Sequence, residues 1–324
     1  MPVCNGMPWL AEAIESLLAQ TTTSFFEILV VVDGGSDESA RYLKNVEDGR
    51  LRRGEDAPRL RVLRQENQGV TAALNRLLAE VRTPWLARMD ADDVSYPQRM
   101  RKLEEAIQAH PDAGLIYSLA DYHPRDLCAG QFRCSRGTAG ELRSIVERGY
   151  LLSICHSTVA LNVEKVRAAG GYRMDIHAED ADLWWRMALR YEIQLIPEVL
   201  VGFRLNPQSV STRNLEKQQL AAIYVQYLLL SELWGLSARP LGDVAPVLLQ
   251  FLRPTAIAAK ESLRHGNMLL AQGRRVQGFA ALAEAALLSP GYVMRRALDE
   301  VRHSAISNGV APRLFLERKE ALWT

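Results

Sequence analysis

The chain has 324 residues, 48% of them hydrophobic and 24% charged, and a net charge of +1. That length buries one large core or two modest ones. The balanced charge excludes a protein that holds nucleic acid, or sits on a membrane, by charge alone. Four cysteines, Cys4, Cys128, Cys134 and Cys155, include no C-x-x-C pair, which points to reduced thiols and a cytoplasmic setting. His123, Cys128 and Cys134 fit no common zinc spacing. No basic segment precedes an apolar one at the start, so no signal peptide is expected. The most apolar stretch, 220–236, is interrupted by Gln226, Ser231 and Glu232 and is too short to span a bilayer.

Pro2 and Val3 read as the tail of a strand. Leu10, Ala13, Ile14, Leu17 and Leu18 then recur at helical spacing. Residues 25–32 are an apolar strand ending in Asp33-Gly34-Gly35-Ser36-Asp37, where two glycines allow a tight turn and Ser36 or Asp37 is placed to cap the next helix. Asp33 is either a turn residue or a ligand contact at a strand end, and its recurrence as a pattern at Asp90 favours the contact. Residues 49–59 read as a surface loop and 60–63 as a third strand. Glu66-Asn67-Gln68-Gly69 then opens a helix over 70–81. A glycine turn at a helix N-terminus can approach a phosphate, although a plain connection is the simpler reading.

The next apolar run, Trp85-Leu86-Ala87, leads into three carboxylates within four residues, Asp90, Asp92 and Asp93. The run reads as a buried strand, which places the acids at its carboxyl end, where open α/β sheets bind ligands. Carboxylates at i and i+2 share a small volume only if protons or a cation neutralise them. A hard divalent cation that also takes phosphate oxygens suits such a site. The alternation of strands and helices up to this point predicts an α/β, Rossmann-like parallel sheet. It lacks G-x-G-x-x-G and G-x-x-x-x-G-K-[ST], which argues against a dinucleotide fold and a P-loop NTPase.

Beyond the acids, Pro97 starts a helix. Residues 115–117 and 158–161 are strands, and 163–169 is a short helix ended by Gly170-Gly171. Residues 128–140 read as a loop. Glu179, Asp180 and Asp182 precede a helix with Leu183, Trp184, Met187 and Ala188 inward. Acids there cap a helix and complement its dipole, a reading as good as a catalytic one on residues alone. Two strands follow, over 193–197 and 199–205. From about residue 215 a helical pattern runs nearly to the end, broken at Pro240, Pro254, Pro290 and Pro312, and residues 269–288 resemble a single tetratricopeptide-like helix pair. The expected organisation is a domain over 1–215 and a helical extension over 216–324. The extension packs on the first domain, or mediates homo-oligomers or peripheral membrane contact.

In this order the motifs resemble those of the family 2 glycosyltransferases, over about residues 1–212. Met1-Pro2-Val3-Cys4-Asn5-Gly6 is similar to the family's M-P-V-Y-N-G. Val32-Asp33-Gly34-Gly35-Ser36 is similar to V-D-D-G-S, and Glu66-Asn67-Gln68-Gly69 with Ala73 and Asn75 to E-N-x-G-x-x-x-A-x-N. Asp90-Ala91-Asp92 is the D-x-D. Gly170-Gly171-Tyr172, Glu179-Asp180 and Trp184 are similar to G-G-Y and E-D-x-D-L-W. The resemblance implies a GT-A fold, a mostly parallel sheet flanked by helices with a helical C-terminal extension. It implies inverting transfer of a sugar from a nucleoside-diphosphate sugar, the uridine type foremost, to a carbohydrate or lipid-linked acceptor in surface polysaccharide or glycoconjugate synthesis. Asp33 would then bind the base, with Val3, Asn5, Asn67 and Gly69 lining that pocket. Asp90 would contact the ribose or the metal, and Asp92 would hold Mn²⁺ or Mg²⁺ on the diphosphate. Asp180, beside Glu179, would take the acceptor proton. His156 and Arg204 are candidates for the acceptor or diphosphate side.

The sequence departs from that pattern at Cys4, at Gly34 and at Asn206, where many members have tyrosine, aspartate and histidine. A degenerate domain that binds a carbohydrate or a partner is the alternative this leaves open. A dehalogenase-like phosphatase fits Asp90-Ala91-Asp92-Asp93-Val94, but its nucleophile follows the first core strand and here three strands precede it. A sugar nucleotidyltransferase needs a Gly-rich basic N-terminal loop that the sequence lacks.

Overall fold

The computed structural model describes the chain apart from residues 23, 50–57, 125–129, 174–175, 177, 207–214 and 303–306, with the side chains at 271, 299–302 and 307–308 also outside the description. Cys128, Pro207 and most of the loop expected at 49–59 therefore lie outside the described residues. In chain order the elements are β1 (Pro2–Val3), α1 (Leu10–Leu18), β2 (Glu27–Asp33), α2 (Ser39–Glu47), β3 (Arg59–Gln65), α3 (Val70–Glu80), β4 (Trp85–Ala87), β5 (Val94–Ser95), α4 (Arg99–Ala109), β6 (Ala113–His123), α5 (Ala139–Glu147), β7 (Leu151–Leu152), β8 (Val159–Asn162), α6 (Val163–Ala168), α7 (Glu179–Arg190) and β9 (Glu192–Arg204). Then come α8 (Leu215–Trp234), α9 (Leu241–Leu248), α10 (Pro254–Ala271), α11 (Arg275–Leu288), α12 (Pro290–Arg302), β10 (Ser307–Asn308), α13 (Pro312–Leu316) and α14 (Lys319–Trp323).

The elements form two compact units, neither of them a continuous stretch. The first is Met1–His123, Cys155–Asp175 and Tyr191–Arg204; the second is Pro124–Ile154, Ile176–Arg190 and Leu205–Thr324. The boundary expected at residue 215 falls near the last crossing, but 124–154 and 176–190 group with the helical extension. Long-range packing draws these segments to the second unit, and no local composition marks them.

In the first unit, β1, β2 and β3 form a parallel sheet with β2 at its centre. Strand β2 is apolar along almost its whole length because both faces are covered. Leu10, Ala13, Ile14 and Leu17 of α1 lie on one helical face and bury against Val3, Val30 and Val32. The register sets Val3 beside Val32 and Asp33 beside Gln65, so the polar ends of three strands finish level.

A second sheet runs in the order β4-β8-β6-β9-β5. Strand β4 was expected to extend the parallel sheet. It pairs instead antiparallel with β8, and only β6 and β9 are parallel in this sheet. The reason lies in its length: a three-residue strand carries too little pattern to fix a partner. Strand β9 also differs from expectation, being one 13-residue strand instead of two. Its pairing with β6 jumps from Ser118–Ile196 to Leu119–Val199, which leaves Pro197 and Glu198 in a bulge. A proline lacks the ladder N–H and is tolerated there.

In the second unit, α5 was missed, since 128–140 read as a loop. Thr138 and Glu141 form a reciprocal capping box: the Thr138 N–H donates to Glu141 Oε2 (2.7 Å) and the Glu141 N–H to Thr138 Oγ1 (3.3 Å). That T-x-x-E signature was present in the sequence. Helix α7 buries Leu183, Trp184, Met187 and Ala188 as expected. Pro240, Pro254, Pro290 and Pro312 each stand at a helix start, where a missing N–H costs nothing. The expected helix pair over 269–288 is instead α10 packed on α11, joined across Gly273 at φ +75°.

Candidate active site

Three loops at the carboxyl ends of β1, β2 and β3 are stitched into one surface. Asn5, at φ +52°, accepts the Ser36 and Asp37 N–H groups on Oδ1 (2.8 and 3.2 Å). Asp37 accepts the Met7 and Ser39 N–H groups (2.8 and 3.0 Å). It thus orders the first loop together with the approach to α2, where it was expected only to cap. Gly34 and Gly35 both have positive φ, and a Cβ on either would lie 2.9 Å from Asn67 Cβ or Asn5 Oδ1 respectively. Only glycine allows loops so close. Val3, Asn5, Asp33, Asn67 and Gly69 are therefore brought together, with Val3 buried as a strand residue.

Asp33 is 3% exposed and fully engaged by its own chain. It accepts the Gln65 Nε2–H (2.7 Å), the Gln68 N–H (2.9 Å) and the Gly69 N–H (2.9 Å). This carboxylate, expected to meet a base, holds the turn that opens α3. Gly69 is the N-cap at φ +88°, and the space beside its Cα is open to 4 Å. Asn67 donates from Nδ2 to Cys4 Sγ (3.2 Å). Burial, then the charge of Asp33, pushes the Cys4 thiol up, so it serves as a neutral acceptor.

The three acids lie on a crossing. β4 and β5 are opposite edges of the second sheet, so the connection through Asp90, Asp92 and Asp93 passes the ends of the strands between them. At its start, Asp90 meets Ser157, just before β8: the Asp90 N–H donates to Ser157 Oγ (3.0 Å), whose hydroxyl donates to Asp90 Oδ2 (3.1 Å). At its end, Asp93 Oδ1 accepts the N–H of Arg204, the last residue of β9 (2.9 Å). A Cβ on Gly6 would lie 3.4 Å from Ala91 Cβ, which sets the crossing against the first loop.

Two buried arginines underlie the acids. Arg88, 5% exposed, pairs with Asp90 Oδ2, and Arg99, 0% exposed, donates to Arg88 O (2.7 Å). Burial opposes ionisation of Asp90, yet the Arg88 charge overrides it and holds the carboxyl below its ordinary pKa. Asp93 goes the other way. Burial, then the charges of Asp90 and Asp92, pushes it up to about 8, and its Oδ2 has no hydrogen-bond partner. Arg88, Arg99 and Ser157 were not singled out from the sequence. Arg88 carried a signal, since residues i and i+2 of an extended segment share a side; Ser157 carried none.

His156 donates to or accepts from the Tyr172 hydroxyl through Nε2 (2.9 Å), and burial, then Arg88, holds its pKa well below the usual value. It is a neutral imidazole. Arg204, a candidate for the acceptor or diphosphate side, staples the crossing to α1. Its Nε donates to Asp92 O (2.8 Å), its Nη2 pairs with Glu12, and its guanidinium lies 4.3 Å from the Trp9 ring centre. Glu179 and Asp180 open α7 in the second unit, where Asp180 Oδ1 accepts the Ala181 N–H (2.7 Å). Asp182, next in that run, is buried in an ion pair with Arg186 (2.7 Å) and holds the helix together.

Among the described residues no three His, Cys, Asp or Glu side chains converge as a metal cage. The donors at the crossing are nonetheless hard carboxylate oxygens, and Asp93 Oδ2 is orphaned beside them. That chemistry fits Mg²⁺ or Mn²⁺ held by few protein oxygens and completed by a substrate diphosphate. Asp90 is neutralised by Arg88, and Asp92 is the other candidate ligand.

Residues 1–127 match the model of Glycosyl transferase family 2. The amylovoran biosynthesis glycosyltransferase AmsE of Erwinia amylovora is 27% identical over 208 residues, which is 63% of this chain and 73% of that protein. Among solved structures, S. aureus TarS in complex with UDP-GlcNAc is similar at TM-score 0.56 and 13% identity, over 88% of this chain and 89% of that one. The mannosyltransferase PcManGT of Pyrobaculum calidifontis in complex with GDP-Man and Mn²⁺ is similar at TM-score 0.51 and 17% identity, over 92% and 78%. The shared fold is that of the GT-A glycosyltransferases. Residues 1–127 thus carry the similarity to Glycosyl transferase family 2, within a fold shared with GT-A glycosyltransferases.

Proposed function

We propose that the chain transfers a sugar, with inversion, from a nucleoside-diphosphate sugar to an acceptor hydroxyl in the synthesis of a polysaccharide or related glycoconjugate. The observation that carries this reading is the meeting of Asn5, Asn67 and Gly69 on one surface, with the Asp90–Asp93 crossing set against its first loop. The relative from E. amylovora, named for polysaccharide biosynthesis, supports the product class. The neighbours solved with UDP-GlcNAc and with GDP-Man support a nucleotide-sugar donor, with uridine first and guanosine as the competing base.

The open side of Gly69 receives the nucleotide, because backbone there can approach closely and the N–H groups opening α3 favour an anion. Asp33 keeps that turn rigid. Asp92 would hold Mn²⁺ or Mg²⁺, and the ion would supply the positive charge that neutralises a diphosphate leaving group. Arg88 keeps Asp90 ionised and oriented through Ser157. Asp180 takes the proton of the acceptor hydroxyl as its oxygen attacks the anomeric carbon and the diphosphate departs on the opposite face.

A panel of UDP- and GDP-sugars with Mn²⁺ tests the reading through release of nucleoside diphosphate. Asp180→Asn is expected to lower transfer by ~10²–10⁴-fold while nucleotide affinity stays within about twofold. Silence of the wild type toward every donor, or undiminished transfer by Asp180→Asn, overturns it.

A further inference from the structure

Helix α11 is rich in apolar residues on every side, yet only one side is covered. Gly278, Ala281 and Ala285 form its buried face. The contact with α10 is close: a Cβ on Gly278 would lie 2.7 Å from the Leu270 side chain and 3.2 Å from Gly266 O. On the opposite face Val276 is 84%, Phe279 63% and Leu287 84% exposed, and on α12 Met294 is 62% and Leu298 40% exposed. These are five of the ten large apolar side chains exposed among the described residues. Helices apolar all round are ordinarily buried, and a contiguous exposed apolar patch marks an interaction surface.

Charge surrounds the patch. Segment 254–302 carries seven Lys and Arg against four Asp and Glu, a net +3 in a chain of net +1. Arg274 and Arg275 are exposed where α11 begins, and Arg295 is exposed beside Met294. Nearby, Lys260 of α10 is crowded by Arg264, Arg296 and Arg133, and burial with those charges lowers its pKa to about 7. Glu284 is exposed on the same helix as Arg275, so the positive excess rests on the arginines.

We propose that the exposed face of α11 and α12 docks on a membrane surface rich in anionic lipid, with Val276, Phe279, Leu287, Met294 and Leu298 entering the headgroup boundary and the flanking arginines meeting lipid phosphates. Apolar side chains ringed by Arg are the composition of helices that lie in an interface. Among the described residues no helix is long and apolar enough to cross a bilayer, so the contact is parallel to the surface. A second copy of the chain fits less well, because a two-fold pairing of this face sets its arginines against one another. The inference concerns binding alone and does not depend on sugar transfer.

Co-sedimentation of the full chain with sucrose-loaded vesicles tests it. Vesicles of phosphatidylcholine with phosphatidylglycerol are expected to bind the chain, and phosphatidylcholine alone is not. Raising the salt should weaken binding, since the attraction is screened over a Debye length. Val276→Glu with Phe279→Glu should lower partitioning more than tenfold, and Arg295→Gln and Arg275→Gln about fivefold each. Circular dichroism checks that the variants fold; should they not, the lipid and salt dependence of the wild type decides. No binding to anionic vesicles, equal binding to neutral ones, or a dimer in sedimentation equilibrium that Val276→Glu dissolves overturns the proposal.

Discussion

Arg88 and Asp90, two residues apart, close an ion pair at the end of β4, and Ser157 Oγ lies between them as acceptor from Arg88 Nη1 (3.3 Å) and donor to Asp90 (3.1 Å). The first acid of the Asp90-Ala91-Asp92 motif is thus neutralised from within the chain. Asp92 has its backbone carbonyl held by Arg204 instead. The two aspartates should therefore fail differently. Asp90→Asn leaves a buried guanidinium without its charge partner and should cost about 3 kcal/mol, the low end for a broken buried pair because Asp90 keeps a third of its side chain in water. Asp92→Asn should lose metal-dependent release of nucleoside diphosphate. Urea unfolding measures the first and the donor assay the second; an Asp90→Asn variant as stable as wild type, or undiminished metal-dependent release by Asp92→Asn, would refute the division of roles.

Asp33 gives a second prediction. Its two oxygens accept three N–H groups, two of them from the backbone of the turn at Gly69. Asn at this position turns an amide toward one of those donors, which leaves a buried N–H facing another. The expected loss is ~1–3 kcal/mol. Gly69→Ala should cost a similar ~1–3 kcal/mol, because φ +88° with ψ 164° is a region open essentially to glycine alone. If the turn forms the nucleotide site, both variants weaken UDP binding by calorimetry beyond what their stability loss explains.

What the sequence made legible was local. The periodic apolar face of α1 and the glycine that opens α3 could each be read within one turn of helix, and so could the prolines that start α10, α12 and α13. The acids at 90–93 were legible because three charges so close demand a neutralising partner. The partners themselves were not. Ser157 comes from 67 residues downstream of Asp90 and Arg204 from 111 beyond Asp93, and no period or spacing encodes such pairings. The bulge at Pro197 is the same case: whether a proline ends a strand or is passed over depends on β6, 78 residues earlier at Ser118–Ile196. Helix α5 differs, since its Thr138–Glu141 box was in plain view.

Lys260 predicts a pH dependence. Its folded pKa of about 7 lies below the ordinary lysine value, through burial first and then the charges of Arg264 on its own helix, Arg296 on α12 and Arg133. Between about pH 7 and pH 10.4 the unfolded chain binds the proton and the folded chain does not. Stability therefore rises with pH across that window, and below it the penalty is constant. Lys260→Met should raise Tm at pH 6–7, with the difference from wild type shrinking toward pH 10. Thermal unfolding of both proteins at several pH values checks this, and a difference independent of pH would assign the gain to packing alone.

Gln226 is 0% exposed in α8 and ties two distant segments together. Its Nε2 donates to Gly149 O (2.8 Å) and Val310 O (2.7 Å), and its Oε1 accepts the Val310 N–H (2.8 Å). The approach is so close that a Cβ on Gly149 would lie 2.5 Å from the Leu230 side chain, and one on Gly309 2.5 Å from Gln226 Oε1. Gln226→Leu leaves three backbone groups unpaired and should cost ~2–4 kcal/mol. Gln226→Glu keeps the shape and the acceptor but loses both donors and buries a charge, so it should be at least as damaging near neutral pH. Protection of the Val310 amide in hydrogen exchange distinguishes the two. Glu retains its acceptor oxygen and should preserve part of that protection, whereas Leu should abolish it at matched global stability.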